Sequence, residues 1–305
     1  MSERRFTCAQ ERMLNRFGVA AEARFVEVPA ISGRAHVLVS GDGPPVVLVN
    51  GIGTPAAMWA PLMARLDGFK LYGVDLPGFG LTDPTPRLTE DLRGNAVSFL
   101  EQVLDRLGLK RPFFVANSEG SLWTLWFALD RPRRVAAMVH VGCPALILNT
   151  SAPLPMRLLS LPPVGRLMMK LQPPSPKQVQ QLSKMVRQHP LLPELAELVL
   201  ATERLPGFKE TFLATLNTLL RLRGARPEMA LTAEQLAHVT QPVKLIWGAD
   251  DPFGSCAVGE RAAEIITNAV FHVVPGGHVP WINEPERVAQ LVKSFLERHR
   301  MTVAA

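Results

Sequence analysis

From residue 24 to residue 142, short apolar runs alternate with longer amphipathic stretches. Phe25-Val26-Glu27-Val28 and Ala35-His36-Val37-Leu38-Val39 alternate at period two, as an antiparallel pair at a sheet edge would. The turn Gly41-Asp42-Gly43-Pro44 follows, and then Val46-Val47-Leu48-Val49, apolar throughout, the pattern of a strand covered on both faces. Residues 71–74, 113–116 and 135–139 read the same way, and residues 57–66, 89–107 and 121–129 between them carry helical spacing. Strands alternating with helices of this length predict βαβ units and a mostly parallel sheet.

The alternation then breaks. Eight prolines fall between Pro144 and Pro176, too many for one regular element. Residues 178–222 read as several helices punctuated by Pro190, Pro193 and Pro206. Strand and helix return at residues 243–247, 257–266, 270–274 and 281–298. One sheet interrupted by a helical insertion accounts for this order. The expected organisation is core (1–144), helical cap (145–240) and core again (241–305), with residues 1–18 matching no recognised pattern.

Composition narrows the class. The chain has 305 residues, 47% hydrophobic and 20% charged, which excludes wholesale disorder and fibrous architecture. Cys8, Cys143 and Cys256 are scattered, without CxxC or Cys/His spacing, so a reducing compartment is expected and no metal site. The first residues show no secretory leader, and no apolar stretch is long enough for a membrane span. A cytoplasmic protein is expected. The net charge of +6 is unevenly placed: residues 145–240 hold 11 Lys and Arg against 6 Glu and no Asp, and the remainder holds 22 basic and 21 acidic residues. The cations are not interleaved with aromatic residues, so nucleic acid is not the expected partner. A solvated cationic surface, or attraction of an anionic substrate, accounts for the charge. Oligomeric state is not legible.

The chemistry lies at strand ends. Val115-Ala116-Asn117-Ser118-Glu119-Gly120 runs from a buried strand into a helix with a serine at the junction, which resembles the nucleophile elbow G-x-S-x-G with Ala116 in place of the first glycine. Alone, it would fit a helix N-cap serine equally well. Four further segments follow strands in order: Asn50-Gly51-Ile52-Gly53-Thr54, Asp75-Leu76-Pro77-Gly78-Phe79-Gly80, Gly248-Ala249-Asp250-Asp251 and Gly276-Gly277-His278. Together they resemble the oxyanion loop, D-x-P-G-x-G turn, acid loop and histidine loop of the α/β-hydrolase superfamily. That resemblance implies an α/β-hydrolase fold, a mostly parallel twisted sheet flanked by helices, with an inserted helical cap. It implies Ser118 as nucleophile, His278 as base and then acid, and Asp251 as the orienting carboxylate, with Asp250 the competitor. It also implies an oxyanion hole from the backbone N–H groups of Ile52 and Glu119.

The sequence departs from the pattern at two informative places. Asn50 stands where a histidine is usual, and Asn50-Gly51-Ile52-Gly53-Thr54 with Met58-Trp59 is similar to the loop of 3-oxoadipate enol-lactonases. Glu119 puts a carboxylate directly after the nucleophile, either to pair with an arginine or to disfavour anionic groups. Fold does not decide function. Ser118 argues against dehalogenases and epoxide hydrolases that attack with aspartate. The expected activity is hydrolysis of a carboxylic ester of a medium-sized hydrophobic or amphiphilic substrate, such as a dicarboxylate monoester (a monoalkyl phthalate is one). Lactonase, C–C bond hydrolase, thioesterase and cofactor-free haloperoxidase activities use the same residues, and a non-catalytic binding homologue is the alternative of another class. No Gly-rich phosphate loop is present, so no cofactor is expected. Asn50, Arg157, Arg166 and Trp281 are the expected substrate contacts.

Overall fold

The computed structural model describes residues 1–300. The chain begins with helix α1 (Ser2–Arg16), then β1 (Glu22–Val28), β2 (Gly33–Ser40) and β3 (Pro45–Val49). A 3₁₀ turn (Ala56–Trp59) leads into α2 (Ala60–Met63), followed by β4 (Lys70–Val74), α3 (Leu92–Arg106), β5 (Phe113–Ala116), α4 (Ser118–Asp130) and β6 (Met138–Val141). The inserted segment carries α5 (Leu154–Leu159), α6 (Pro162–Leu171), α7 (Pro176–Met185), α8 (Pro193–Glu203) and α9 (Phe208–Leu219). The two-residue strands β7 (Leu220–Arg221) and β8 (Gly224–Ala225) and the short α10 (Ala233–Ala237) complete it. The chain returns through β9 (Val243–Gly248), α11 (Cys256–Ile265), β10 (Ala269–Val274) and α12 (Pro285–Arg298).

Eight strands form one sheet in the order β1-β2-β4-β3-β5-β6-β9-β10. The pairs β1–β2 and β2–β4 are antiparallel, and every other pair is parallel. This is an α/β-hydrolase fold. All residues of β5, β6 and β9 are buried, while at the edges β1 exposes most of its residues and β10 half. Continuous apolar runs therefore mark the centre of the sheet and alternation marks its rim. Because β3, β4, β5, β6, β9 and β10 run parallel, their C-terminal ends share one edge, where six loops converge. In open α/β sheets that edge is where ligands bind.

Two boundaries need correction. The strand expected at residues 135–139 is Met138–Val141, and the residues before it lead in along β5, with the Ala136 N–H donating to the Pro112 carbonyl (3.0 Å) and the Phe114 N–H to the Ala137 carbonyl (3.0 Å). The last helix does not begin at Trp281: Pro280–Ile282 is a 3₁₀ turn, and the α-helix starts at Pro285, whose fixed φ suits a first turn. The Pro-rich stretch holds three helix starts rather than one element: α5, α6 and α7 each place proline in their first turn, where its missing N–H costs nothing. Helix α1, on which the sequence was silent, buries Phe6, Ala9 and Met13 and packs on α8 and on the 3₁₀ turn Ala56–Trp59.

The insertion leaves the sheet through a strained segment. Leu146, Leu148 and Asn149 all have positive φ, at 58°, 46° and 66°. Leu148 donates its N–H to the Leu231 carbonyl (3.1 Å), and Leu231 donates to the Leu146 carbonyl (2.9 Å), so departure and return are stitched together.

Candidate active site

Ser118 sits where β5 turns into α4, with φ at 52°. A left-handed conformation costs a serine on the order of 1–2 kcal/mol and persists only where its surroundings enforce it. Here they do. The Ala145 N–H donates to the Ser118 carbonyl (3.0 Å), and Asn117 donates its Nδ2 to the carbonyls of Val141 (2.7 Å) and His278 (3.0 Å). A Cβ on Gly120 would lie 2.4 Å from the Val49 carbonyl oxygen, so only glycine lets α4 pack this close to the end of β3. Gly51 is equally constrained, since its Cβ would lie 2.9 Å from that of Ser118.

His278, at the end of the β10 loop, is 5% exposed. Its Nδ1 lies 2.9 and 3.0 Å from the two carboxylate oxygens of Asp251. Asp251 also accepts from the backbone N–H groups of Cys143 (2.8 Å) and Phe253 (2.9 Å). The Phe253 ring stacks on the imidazole at 3.9 Å. The other imidazole nitrogen, Nε2, is buried and makes no hydrogen bond to any described residue. Asp250, the competitor, is exposed and engages Gly276 only through its backbone N–H (3.0 Å).

The loop carrying Ile52 is braced from below. Asn50 is 1% exposed and donates Nδ2 to the Pro55 carbonyl. Asp75, first residue of the D-x-P-G-x-G turn, accepts from the N–H groups of Ala56 (2.6 Å) and Leu81 (2.9 Å) and pairs with buried His36 Nδ1 (2.7 Å). Asn50 spends its amide nitrogen on its own loop, and its Oδ1 makes no hydrogen bond to a described residue. One expectation about substrate contacts is corrected. Trp281 is fully buried, stacks on Trp59 at 4.1 Å and donates its indole N–H to the Met58 carbonyl (3.0 Å), so it pins two core loops together. The arginines are not gathered at the site either: Arg157 Nη1 donates to the Leu222 carbonyl within the insertion (3.2 Å), and Arg166 lies on the exposed face of α6.

Glu119 finds no arginine. Its carboxyl is buried, neither oxygen makes a hydrogen bond to a described residue, and burial pushes its pKa up to about 8. The Trp123 indole, one helical turn on, offsets this only in part, and its nitrogen is likewise unbonded. Burial thus favours the neutral acid over the carboxylate.

Sequence reasoning missed the part the insertion plays here. Between α7 and α8, the Val186 carbonyl accepts the N–H of His278 (3.0 Å). Buried Gln188 accepts the Gly277 N–H on Oε1 (3.2 Å) and donates Nε2 to Asn283. A glutamine among prolines and helices carries no local signal of that role. On the other side, Phe208 of α9 packs edge-on against Phe79 of the D-x-P-G-x-G turn, and Phe212 lies against Gly53.

Known proteins share this fold. The sequence profile of the alpha/beta hydrolase family matches residues 46–291. A 2-hydroxy-6-oxononadienedioate/2-hydroxy-6-oxononatrienedioate hydrolase from Pseudomonas sp. is 28% identical over 290 residues, covering 92% of this chain and 98% of the relative. Among solved structures, a carboxylesterase from Bacillus subtilis superposes with a TM-score of 0.78 at 23% identity, covering 97% and 98% of the two chains. A meta-cleavage product hydrolase from Pseudomonas fluorescens superposes at 0.71 and 22% identity, covering 91% and 97%. With its sheet order, its strained serine and a family profile spanning most of its length, the chain belongs to the alpha/beta hydrolase family.

Proposed function

We propose that the protein is a serine hydrolase that cleaves a carboxylic ester of a medium-sized hydrophobic or amphiphilic molecule through an acyl-enzyme. The observation that carries this reading is the strained Ser118, tied through Asn117 to His278, whose Nδ1 is held by Asp251 while Nε2 stays unbonded. Ser118 Oγ attacks the carbonyl carbon as His278 Nε2 takes its proton, and Asp251 fixes the tautomer and stabilises the imidazolium. The developing oxyanion is received by the N–H groups of Ile52 and of Glu119, the latter in the first turn of α4, where the helix dipole favours negative charge. His278 returns the proton to the leaving alcohol, and water repeats the sequence on the acyl-enzyme. The insertion acts as the cap, with α9 and the Val186–Gln188 connector beside the site.

A second reading, cleavage of a C–C bond beside a ketone, is favoured by the named activity of relatives that align over nearly their whole length. Their named substrate is a dioate, a doubly charged acid that suits an insertion carrying most of the net positive charge. The same charge would favour a dicarboxylate monoester. A panel of p-nitrophenyl esters of rising acyl length, dicarboxylate monoesters, lactones and a 2-hydroxy-6-oxo-dienedioate separates these substrates. A fluorophosphonate should modify Ser118, read by mass spectrometry of the labelled peptide. No labelling and no turnover of any panel member would leave a binding protein as the reading.

A further inference from the structure

The first half of the insertion has an unusual surface. Residues 145–193 contain Arg157, Arg166, Lys170, Lys177, Lys184 and Arg187 and not one acidic residue. On α6, Arg166, Leu167, Lys170 and Leu171 are all exposed. Their spacing, i, i+1, i+4 and i+5, puts them on one helical face. The leucines are far more open to water than isolated surface leucines need to be: Leu167 is 56% exposed and Leu171 70%. Leu154, on the adjacent and contacting α5, is 52% exposed. The other side of α6 packs on α9, the helix that reaches Phe79 and Gly53 beside the candidate site.

Leucines interleaved with lysine and arginine on one exposed face match the chemistry of an anionic lipid–water boundary. Apolar side chains enter the acyl margin, while cations meet headgroup phosphates and lay their own methylene stems along the surface. The charge sign decides between occupants. A second copy of this chain would bring the same acid-free cationic face and be repelled. A folded protein partner would need a larger apolar centre than three leucines supply. A lipid surface needs no fixed register and supplies negative charge at high density. No helix among the described residues is long and apolar enough to cross a membrane, so contact would be peripheral.

We propose that the exposed α5–α6 face docks the protein reversibly on anionic lipid surfaces. The docking is independent of the chemistry at Ser118. It would bring α9, and the site beneath it, to a surface where amphiphilic esters concentrate.

The test uses the full chain and vesicles of phosphatidylcholine with or without phosphatidylglycerol. Co-sedimentation should be seen only with phosphatidylglycerol and should weaken strongly between about 50 mM and 500 mM salt, where the screening length falls several-fold. Leu167→Ser/Leu171→Ser keeps every charge, and it should lose partitioning by about tenfold or more while hydrolysing a short soluble ester as the wild type does. Leu171→Trp adds a reporter, because all five native tryptophans are buried. Its emission should shift to the blue on adding phosphatidylglycerol vesicles and not on adding phosphatidylcholine alone. Absence of binding overturns the proposal. So does binding that survives the double serine variant, which would mean a solvated cationic surface, or conversion of a dimer to a monomer by that variant, which would mean a second copy covers the face. Turnover enters only as a folding control, so failure of docking and failure of the serine-hydrolase reading are separate outcomes.

Discussion

The sheet core and the helical insertion solve the burial problem differently. In the core, β5, β6 and β9 are buried along their full length, and the site loops are set by close backbone approaches such as that of Gly120 to Val49. In the insertion, α5 and α6 each bury a single residue, Met156 and Gly165, and several leucines face water. Yet the insertion holds the backbone of His278 through Val186 and that of Gly277 through Gln188. The core supplies Ser118, Asp251 and His278 and the insertion supplies part of their support, so the boundary between scaffold and candidate site does not follow the boundary between the two regions.

The largest effect should come from the core. Ser118→Ala should fold normally and lower kcat for ester hydrolysis on the order of 10⁴-fold or more; retention of more than about a tenth of the activity would remove Ser118 from the nucleophile role. Next are the adjacent acids. Asp251→Asn should cost roughly 10³–10⁴ in kcat, because an amide favours the wrong imidazole tautomer, while Asp250→Asn should cost far less. The reverse ranking, measured on the same substrate, would transfer the role.

The third prediction concerns stability. The Glu119 pKa is raised from 4.5 to about 8, so between those values the folded protein keeps a proton that the unfolded chain releases. Stability should therefore fall as pH rises through that window, by an amount on the order of a few kcal/mol. Glu119→Gln, neutral and similar in shape, should flatten the dependence. Urea midpoints of both proteins at about pH 5 and pH 8.5 provide the measurement, and parallel slopes would refute it.

The smallest effect tests the reach of the insertion into the core. Gln188→Ala removes the acceptor of the Gly277 N–H and the donor to Asn283, and one neutral hydrogen bond is worth about 1 kcal/mol. A fall of about fivefold in kcat with KM little changed is expected. An effect confined to KM would mean that the connector shapes the pocket without positioning His278.

The sheet, its antiparallel edge and the order of the site loops were legible because buried strands are written as uninterrupted apolar runs, each followed by a small-residue turn. The Asp251–His278 pair could be anticipated for the same reason, its loops lying at strand ends. The insertion was not legible in that way. Its prolines read as breaks but serve as helix starts, and the value of Gln188 depends on a contact 89 residues along the chain. Trp281 was misjudged because an aromatic residue near the expected catalytic histidine looks like a substrate contact, whereas its stacking on Trp59 turns it inward. Helix α1 escaped because its spaced apolar residues gain meaning only when α8 is there to cover them.

The stitch between Leu146, Leu148 and Leu231 makes the insertion a detachable cassette in a topological sense. Its two ends are already hydrogen-bonded neighbours, so a short turn could replace everything between them without stretching the sheet, and closing so short a loop costs little entropy. Such a graft would keep the order of strands and the serine elbow, and it would sever the connector that holds the histidine loop. Exchanging cassettes between relatives should therefore transplant substrate preference only when the incoming segment brings its own counterpart of Val186 and Gln188.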